Sequence, residues 1–466
     1  MIRTSDHASV LILKDRGAVD GFPDAVNIDM IASKLDTVAA TRAFLESLFE
    51  AAVAAAHPAA CLPRNLPGPP PRGRLVLFAA GKAAGSMTEI AEGRYLPLLP
   101  PERFAGLAVT RHGYGRPTRH IPVIEAGHPV PDKAGLSAAR RTLKMADAAD
   151  GNDLVLVLLS GGASANWIAP APGVGFEEKQ AVTRALLQSG AAIDEINAVR
   201  KHLSRIKGGR LLKRAFPAKV VTLAISDVPG DDPAVIGSGP TVPDPTTLAD
   251  ARAIVARYRL NLPEPVTRAL DDPANETPKP DDEVFERGDY RMVARPADAL
   301  RSAAERARAA GYECIMLGDR SQGEAREIAA GHAQLALSLK AEGRRAAILS
   351  GGELTVTLRG QGRGGPNQEY ALALAIHLDG APGIAAIAGD TDGTDGGSGR
   401  ADDPAGAFID ASTLARARAV GLDPAAFLAD NDSTGFFKGI GDLLRPGPTF
   451  TNVNDFRAIV VDGGGN

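Results

Sequence analysis

The chain has 466 residues, 44% of them hydrophobic and 23% charged, enough for two or three domains with proper cores at about 150 residues each. Its 52 basic and 56 acidic residues leave a net charge of −4, and no basic run stands out, which argues against a nucleic-acid-binding surface. Two cysteines far apart, Cys61 and Cys314, rule out a disulfide framework or a zinc pattern. Apolar stretches such as Leu154–Leu159 fall far short of the about 20 residues a membrane span needs, so a soluble cytoplasmic protein is expected.

Residues 1–26 lack sustained periodicity and read as a loose extension. From Ile31 to Ala56 the spacing of Ile31, Leu35, Val38, Phe44, Leu45, Leu48 and Phe49 predicts a helix, and the Pro-rich stretch 62–72 ends it. A buried-type strand over 74–80 then runs into Gly81-Lys82 and a helix. Short apolar runs at 107–110 and 121–126 precede a helix over 133–148. The near-continuous apolar run 153–159 reads as a buried parallel strand and ends in Ser160-Gly161-Gly162. A helix over 176–189 and a basic segment, 197–211, come next. The run 220–225 feeds into Ser226-Asp227, followed by Asp231, Asp232 and the small-residue loop Gly237-Ser238-Gly239-Pro240-Thr241.

Pro- and acid-rich residues 261–285 suggest a boundary, with one domain over 27–280 and another over 281–466. Past it the rhythm repeats: strands near 290–295, 312–317 and 346–349 alternate with helices over 297–310 and 322–341. The last of these strands is expected to end in Ser350-Gly351-Gly352-Glu353. A helix over 367–378 and a strand over 383–388 lead to Gly389-Asp390-Thr391-Asp392. Strand–helix alternation predicts an α/β fold of two domains with mostly parallel, Rossmann-like sheets. Ligands bind at the carboxyl edge of such sheets, so five polar strand ends are expected to meet in an interdomain cleft.

The chemistry these edges offer is that of anions and cations. Lys82, between strand and helix, can neutralise phosphoryl charge, although the segment is not a Walker A loop because Ala83 stands where Ser or Thr would. Paired glycines at 161–162 and 351–352 let backbone N–H groups converge on an anion. Arg200, Lys201, Arg205 and Lys207 form a basic cluster that can grip a carboxylate or phosphate. Asp227, Asp231 and Asp232 can hold a divalent cation beside the 237–241 loop. Residues 360–365 match G-x-G-x-x-G, but the alternating strand before them does not suit a dinucleotide fold. Asp390, Asp392 and Asp395 have the opening of a calcium loop without its closing Glu, which fits Mg²⁺–nucleotide or substrate contact better. No H-E-x-x-H or G-x-S-x-G is present, disfavouring zinc and serine hydrolases.

Taken together the motifs resemble the glycerate 2-kinase family, with its C-terminal MOFRL domain, whose members are often labelled hydroxypyruvate reductase. The resemblance covers about residues 31–460. It is carried by A-G-K-A-A at 80–84, L-L-S-G-G-A-S-A at 158–165, N-A-V-R-K-H-L-S-R-I-K-G-G-R-L at 197–211 and I-S-D-V-P-G-D-D-P-A-V-I-G-S-G-P-T at 225–241. S-G-G-E-L-T-V at 350–356, G-R-G-G-P-N-Q-E at 362–369, A-G-D-T-D-G-T-D-G at 388–396 and T-N-V-N-D at 451–455 complete it. It implies ATP-dependent phosphorylation of D-glycerate at the 2-hydroxyl, with Mg²⁺.

It places the family's essential lysine on Lys82, and with it Asp227 and Arg363 are the candidate catalytic residues. Ser160, Gly161, Gly162, Arg200, Lys201, Lys207, Asn367 and Glu369 would contact substrate. Ser238, Gly239, Pro240, Thr241, Ser350, Gly351, Gly352 and Glu353 would contact nucleotide, and Asp227, Asp232, Asp390 and Asp392 the metal. Many members carry Arg where this chain has Pro366, so either Arg363 or another base covers that role, or the chain belongs to a variant subgroup. NAD(P)H-dependent hydroxypyruvate reduction and a non-catalytic hydroxy-acid-binding regulator are the alternatives. Which acid binds metal, which Gly-rich loop takes phosphates, and whether the protein forms a homodimer stay open at this stage.

Overall fold

The computed structural model describes residues 28–397 and 400–463, with side chains from residue 38 onward; the expected 1–26 extension lies outside them. The chain divides into Met1–Thr41 and a compact unit, Arg42–Asn466, and all that follows concerns the latter. Two six-stranded sheets form its frame.

The first sheet contains β1 (Leu75–Ala80), β2 (Phe104–Arg111), β3 (Val123–Ala126), β4 (Leu154–Leu159), β5 (Lys219–Ile225) and β6 (Gly288–Ala294). Its order is β3-β2-β1-β4-β5-β6 and every pair is parallel, the arrangement of a dinucleotide-type doubly wound sheet. β6 completes this sheet from beyond residue 280. Both faces of the central strands are covered, which is why they read as unbroken apolar runs. Along β1, Leu75, Leu77 and Ala79 enter one core while Val76, Phe78 and Ala80 enter another, as the two-residue period of a strand requires.

The second sheet contains β7 (Glu313–Glu324), β8 (Ala346–Thr355), β9 (Ile384–Asp390), β10 (Gly406–Ile409), β11 (Leu443–Leu444) and β12 (Asp455–Val461), in the order β11-β10-β9-β12-β8-β7. Only β7 and β8 pair in parallel; the remaining pairs are antiparallel. The expectation of mostly parallel sheets therefore holds for the first sheet and not for the second. The physical reason is β12, which inserts between β8 and β9 and runs against both.

One apolar core joins the two sheets: Leu77, Leu156 and Leu223 share it with Leu349, Ile387 and Phe456. Helices Lys133–Asp147, capped by the Asp132 carboxylate on Gly135 N–H at 2.9 Å, and Arg210–Ala215 cover the far face of the first sheet. Ala325–Ala341 and Pro366–Leu378 cover the far face of the second. A helical lobe of Phe176–Gln188, Ile193–His202, Leu248–Arg257 and Glu264–Asp271 has its own small core. Among the described residues no helix is long and apolar enough to cross a membrane.

Candidate active site

In a sheet of this order the strand connections reverse direction between β1 and β4, leaving a crevice at their carboxyl ends. Gly81-Lys82 leaves β1 there and Ser160-Gly161-Gly162 leaves β4. The two ends touch: a Cβ on Gly81, whose φ is +116°, would lie 2.3 Å from the Ser160 carbonyl oxygen, so only glycine fits. Lys82 N–H donates to the Gly161 carbonyl at 2.8 Å, and Ala83 N–H donates to Ser160 Oγ at 2.9 Å. Ser160 thus fixes the loop that carries Lys82.

Four ionisable side chains meet at this crevice. Lys82 Nζ lies 2.5 Å from Asp392 Oδ2. Burial works to lower the Lys82 ammonium, yet Asp392, Asp390 and Asp227 outweigh it and hold its pKa above the ordinary value. Burial raises the Asp227 carboxyl, with Lys82 opposing. Burial and then Asp392 push the Asp390 carboxyl well above the usual range. Burial also disfavours the Asp392 carboxylate, but Lys82 keeps its pKa below the ordinary value. Asp227 comes from the end of β5, and Asp390 and Asp392 from the end of β9, so both sheets supply the cluster. Arg111, at the end of β2, donates to Thr394 Oγ1 at 2.9 Å and lies 3.8 Å from Asp392. Tyr114 Oη donates to the Asp392 carbonyl at 3.0 Å. A cleft of about 540 Å³ opens here, lined by Lys82, Arg111, His128, Asp390 and Asp392 among others.

Several residues at this site were not expected from the sequence. Asn452 Nδ2 donates to Asp227 Oδ2 at 2.9 Å, and Asn454 Nδ2 donates to the Asp227 carbonyl at 3.0 Å. Both precede β12, whose antiparallel course places its amino end beside the carboxyl end of β9, pairing Asp455 with Asp390. The T-N-V-N-D motif was the available signal. His128 sits over Gly162: a Cβ there would lie 3.0 Å from His128 Cδ2 and 3.3 Å from Lys82 Cγ. Burial, then Lys82 and Arg111, push its imidazole down to about 3, so it is neutral at working pH.

The basic segment lies next along the β4 loop. Arg200 donates to Ser164 Oγ at 2.6 Å and Lys207 to the same oxygen at 2.5 Å. Lys201 Nζ lies 3.4 Å from Asp244. Ser238 Oγ lies 2.9 Å from Ser164 Oγ, so one residue of the 238–241 loop joins the basic cluster. The rest of that loop is used within the fold: the Gly239 and Pro240 carbonyls accept from Gly209 and Leu211 N–H, and Thr241 Oγ1 accepts from Thr222.

Other expected residues lie elsewhere or are already engaged. Asp232 is exposed and closes a local turn by accepting from Ala234 N–H at 2.8 Å. Ser350–Glu353 do not end a strand, because β8 continues through them to Thr355. Gly352, at φ +100°, is needed because a Cβ would lie 2.2 Å from the Ser321 carbonyl oxygen of β7. The Gly351 carbonyl accepts from the buried Arg457 guanidinium at 2.6 Å. Glu353 is exposed. Asn367 is held by Asp395 and Asp455, and Glu369 by Arg326 and Asn431. Arg363 is exposed.

The 360–365 loop packs against residues 430–433. The helix it opens, Pro366–Leu378, has its first N–H groups occupied: Asn367 and Gln368 N–H donate to the Asp395 carboxylate at 3.0 and 2.9 Å. A dinucleotide pyrophosphate needs that helix end free, so the G-x-G-x-x-G match is not a dinucleotide site. Pro366 itself stands in the first helical turn, where its missing N–H costs nothing.

Comparison with known proteins finds relatives over most of the chain. A model described as "Domain of unknown function (DUF4147)" matches residues 44–271, and the MOFRL family model matches residues 346–455. A relative from Agrobacterium vitis, provisionally named a hydroxypyruvate reductase, is 48% identical over 90% of this chain and 94% of its own. The D-glycerate 2-kinase of Thermotoga maritima is 42% identical over 82% of this chain and 89% of its own. A crystal structure of a glycerate kinase from Thermotoga maritima superposes with a TM-score of 0.80 at 37% identity, covering 91% of this chain and 99% of that one.

Proposed function

The chain belongs to the glycerate 2-kinase family, and from that premise we propose that it transfers the γ-phosphoryl group of ATP to the 2-hydroxyl of D-glycerate, giving 2-phosphoglycerate. The observation that carries the reading is the meeting of Lys82 with Asp227, Asp390 and Asp392 where the first sheet's connections reverse. Phosphoryl transfer asks little covalent chemistry of a protein; it asks for positioning and for charge to be neutralised.

Asn452 holds Asp227 Oδ2 and, among the described residues, Oδ1 has no side-chain partner, so Oδ1 accepts the proton of the glycerate 2-hydroxyl as the oxygen attacks. Lys82 neutralises the oxygens of the group in flight. Arg200, Lys201 and Lys207, at the neighbouring edge, hold anionic groups of the reactants. His128, neutral and beside Lys82, offers a hydrogen bond that orients the acceptor without adding charge.

Mg²⁺ fits the donor set. Asp390 and Asp392 stand two residues apart at the end of β9, and burial and the neighbouring Asp392 disfavour the charged form of Asp390, a cost that a bound cation would relieve; Mg²⁺ sites commonly use one or two carboxylates together with substrate phosphates. Among the described residues no group of three or more metal-ligating side chains is preassembled, which agrees with a metal that arrives with the nucleotide. Asp390 and Asp392 would hold it, where it would draw charge from the transferring phosphate. The free thiols Cys61 and Cys314 suit a reducing, cytoplasmic setting.

The test is direct. Protein incubated with Mg²⁺–ATP should release ADP only when D-glycerate is present, and hydroxypyruvate with NADH should show no loss of absorbance. NADH oxidation without ADP formation would reverse the assignment in favour of the reductase.

A further inference from the structure

Around Ser164, on the segment that follows β4, lies a group of basic side chains with too few acids. Lys179, on helix Phe176–Gln188, is 3% exposed, Lys201 is 6% and Lys207 is 2%, and Arg200 stands half-buried at their edge. Two hydroxyls sit among them. Ser164 Oγ accepts from both Arg200 and Lys207, and Ser238 Oγ lies 3.4 Å from Lys207 Nζ. Lys207 also donates to the Ser164 carbonyl at 2.8 Å, and Lys179 donates to the Arg200 carbonyl at 2.9 Å.

Among the described residues the carboxylate in contact with this group is Asp244, through Lys201; it also serves Thr246. Among the described residues Lys179, Arg200 and Lys207 make no ion pair. Burial first, and then Arg200, Lys179 and Lys201, hold the Lys207 ammonium well below its ordinary pKa. Buried cations without counter-charge are costly, and such arrangements mark functional sites more often than stabilising ones.

We infer that Lys179, Arg200, Lys201 and Lys207, gathered around the Ser164 and Ser238 hydroxyls, form the pocket that takes the polyphosphate of the nucleotide. This deepens the kinase reading and rests on it. A single carboxylate, such as that of glycerate, would leave most of the positive charge unmatched, whereas a nucleotide tail brings about three or four negative charges. The pocket is also correctly placed. Ser164 lies two residues beyond Gly162, where a Cβ would lie 3.3 Å from Lys82 Cγ, so the cations and Lys82 flank the same β4 loop and one polyphosphate can reach from one to the other. Of the two serines, Ser164 already occupies the position of an anion, accepting from two charged donors at once.

The test is titration of the full chain with pyrophosphate, ADP and inorganic phosphate, by calorimetry and by thermal melts. Pyrophosphate and ADP should bind the wild type and raise its Tm, and pyrophosphate should bind at least about tenfold more tightly than phosphate. Lys179→Met and Lys207→Met should each weaken pyrophosphate binding by about tenfold or more, the loss of one charge-assisted hydrogen bond. Ser164→Asp, which supplies the missing carboxylate, should raise the Tm of the free protein and abolish the response to pyrophosphate. Should the lysine variants not fold, Ser164→Asp and the wild-type titration decide the matter. A wild type that binds none of the probes overturns the inference, as does equal binding of phosphate and pyrophosphate, or a Ser164→Asp protein that binds pyrophosphate as the wild type does. A protein that binds pyrophosphate here but never forms ADP with glycerate keeps the pocket and loses the kinase reading. One that phosphorylates glycerate with undiminished nucleotide affinity in Ser164→Asp keeps the kinase and loses the pocket.

Discussion

Gly161→Ala puts a single methyl group against the proposed base. A Cβ at this position would lie 1.9 Å from Asp227 Oδ2 and 2.1 Å from Asn452 Nδ2, where real Cβ contacts essentially never fall under 3.0 Å. The carboxylate must therefore retreat by more than an ångström, or the Ser160–Gly162 loop must lift, carrying with it the Gly161 carbonyl that accepts from Lys82 N–H. Either movement separates groups that act together on one hydroxyl. A displacement of about 1 Å at a reacting centre costs on the order of 10²-fold in rate, so kcat for ADP release should fall by about that factor. The backbone at Gly161 is not in the left-handed region, and the strained contacts are with side chains at the edge of the cleft. Tm should accordingly change little, which a melt followed by circular dichroism would record. Gly93→Ala is the control: it lies within helix Ala84–Tyr95 with nothing within 4 Å of the new Cβ, and should leave kcat unchanged while adding about 0.5–1 kcal/mol of stability. A Gly161→Ala enzyme with kcat within about threefold of wild type would refute the assignment of Asp227.

Lys82→Ala should lower kcat/KM by about 10²-fold or more, as loss of a transition-state charge does; a folded variant losing less than about threefold, in the same ADP-release assay, would end that role. Arg457→Met should cost about 3–5 kcal/mol in denaturant unfolding, because Arg457 is 1% exposed and its loss leaves Asp455, 2.9 Å away, buried with an amide partner in Asn367 but no counter-charge. His332 should make the fold acid-sensitive. Burial, then Arg457, depress its pKa from 6.5 to about 4, so between those values the unfolded chain binds a proton that the folded one does not. Stability from this group is complete above about pH 6.5 and is lost as pH falls through about 4, by at most about 3 kcal/mol. His332→Gln should flatten that part of the pH–stability curve.

How far the sequence could be read depended on the kind of strand. Fully buried strands announce themselves as unbroken apolar runs, whether parallel like β1 and β5 or antiparallel like β9, so the polar residues at their carboxyl ends, Lys82, Asp227, Asp390 and Asp392, could be singled out, and the structure brings them together. Ser350–Glu353 misled because Ser-Gly-Gly looks the same whether it ends a strand or lets one pass a neighbour; only the approach of Ser321 distinguishes the two. Asn367 and Glu369 are polar residues in a recognisable motif, but their partners Asp455, Arg326 and Asn431 are distant in sequence, and no local pattern reveals such pairing. Asp232 was one of several acids near a strand end, and turn chemistry explains it fully. Asn452, Asn454 and His128 come from loops whose place depends on the antiparallel course of β12 or on the path after β3, neither of which periodicity specifies.

The place of β12 has a further consequence for how activity arises during synthesis. Asn452 and Asn454 reach Asp227 across sequence separations of 225 and 227 residues, from the segment that leads into the last strand. A ribosome that has made the whole first sheet has made Lys82, Asp227 and all the proposed phosphate-binding cations, yet Asp227 still lacks the two amides that hold it. A nascent chain can thus fold its parallel sheet early, while the unfinished site stays silent until the final strand slides between β8 and β9. Catalysis then reports completion: a chain that stalls before Thr451 carries most of the machinery and turns over nothing.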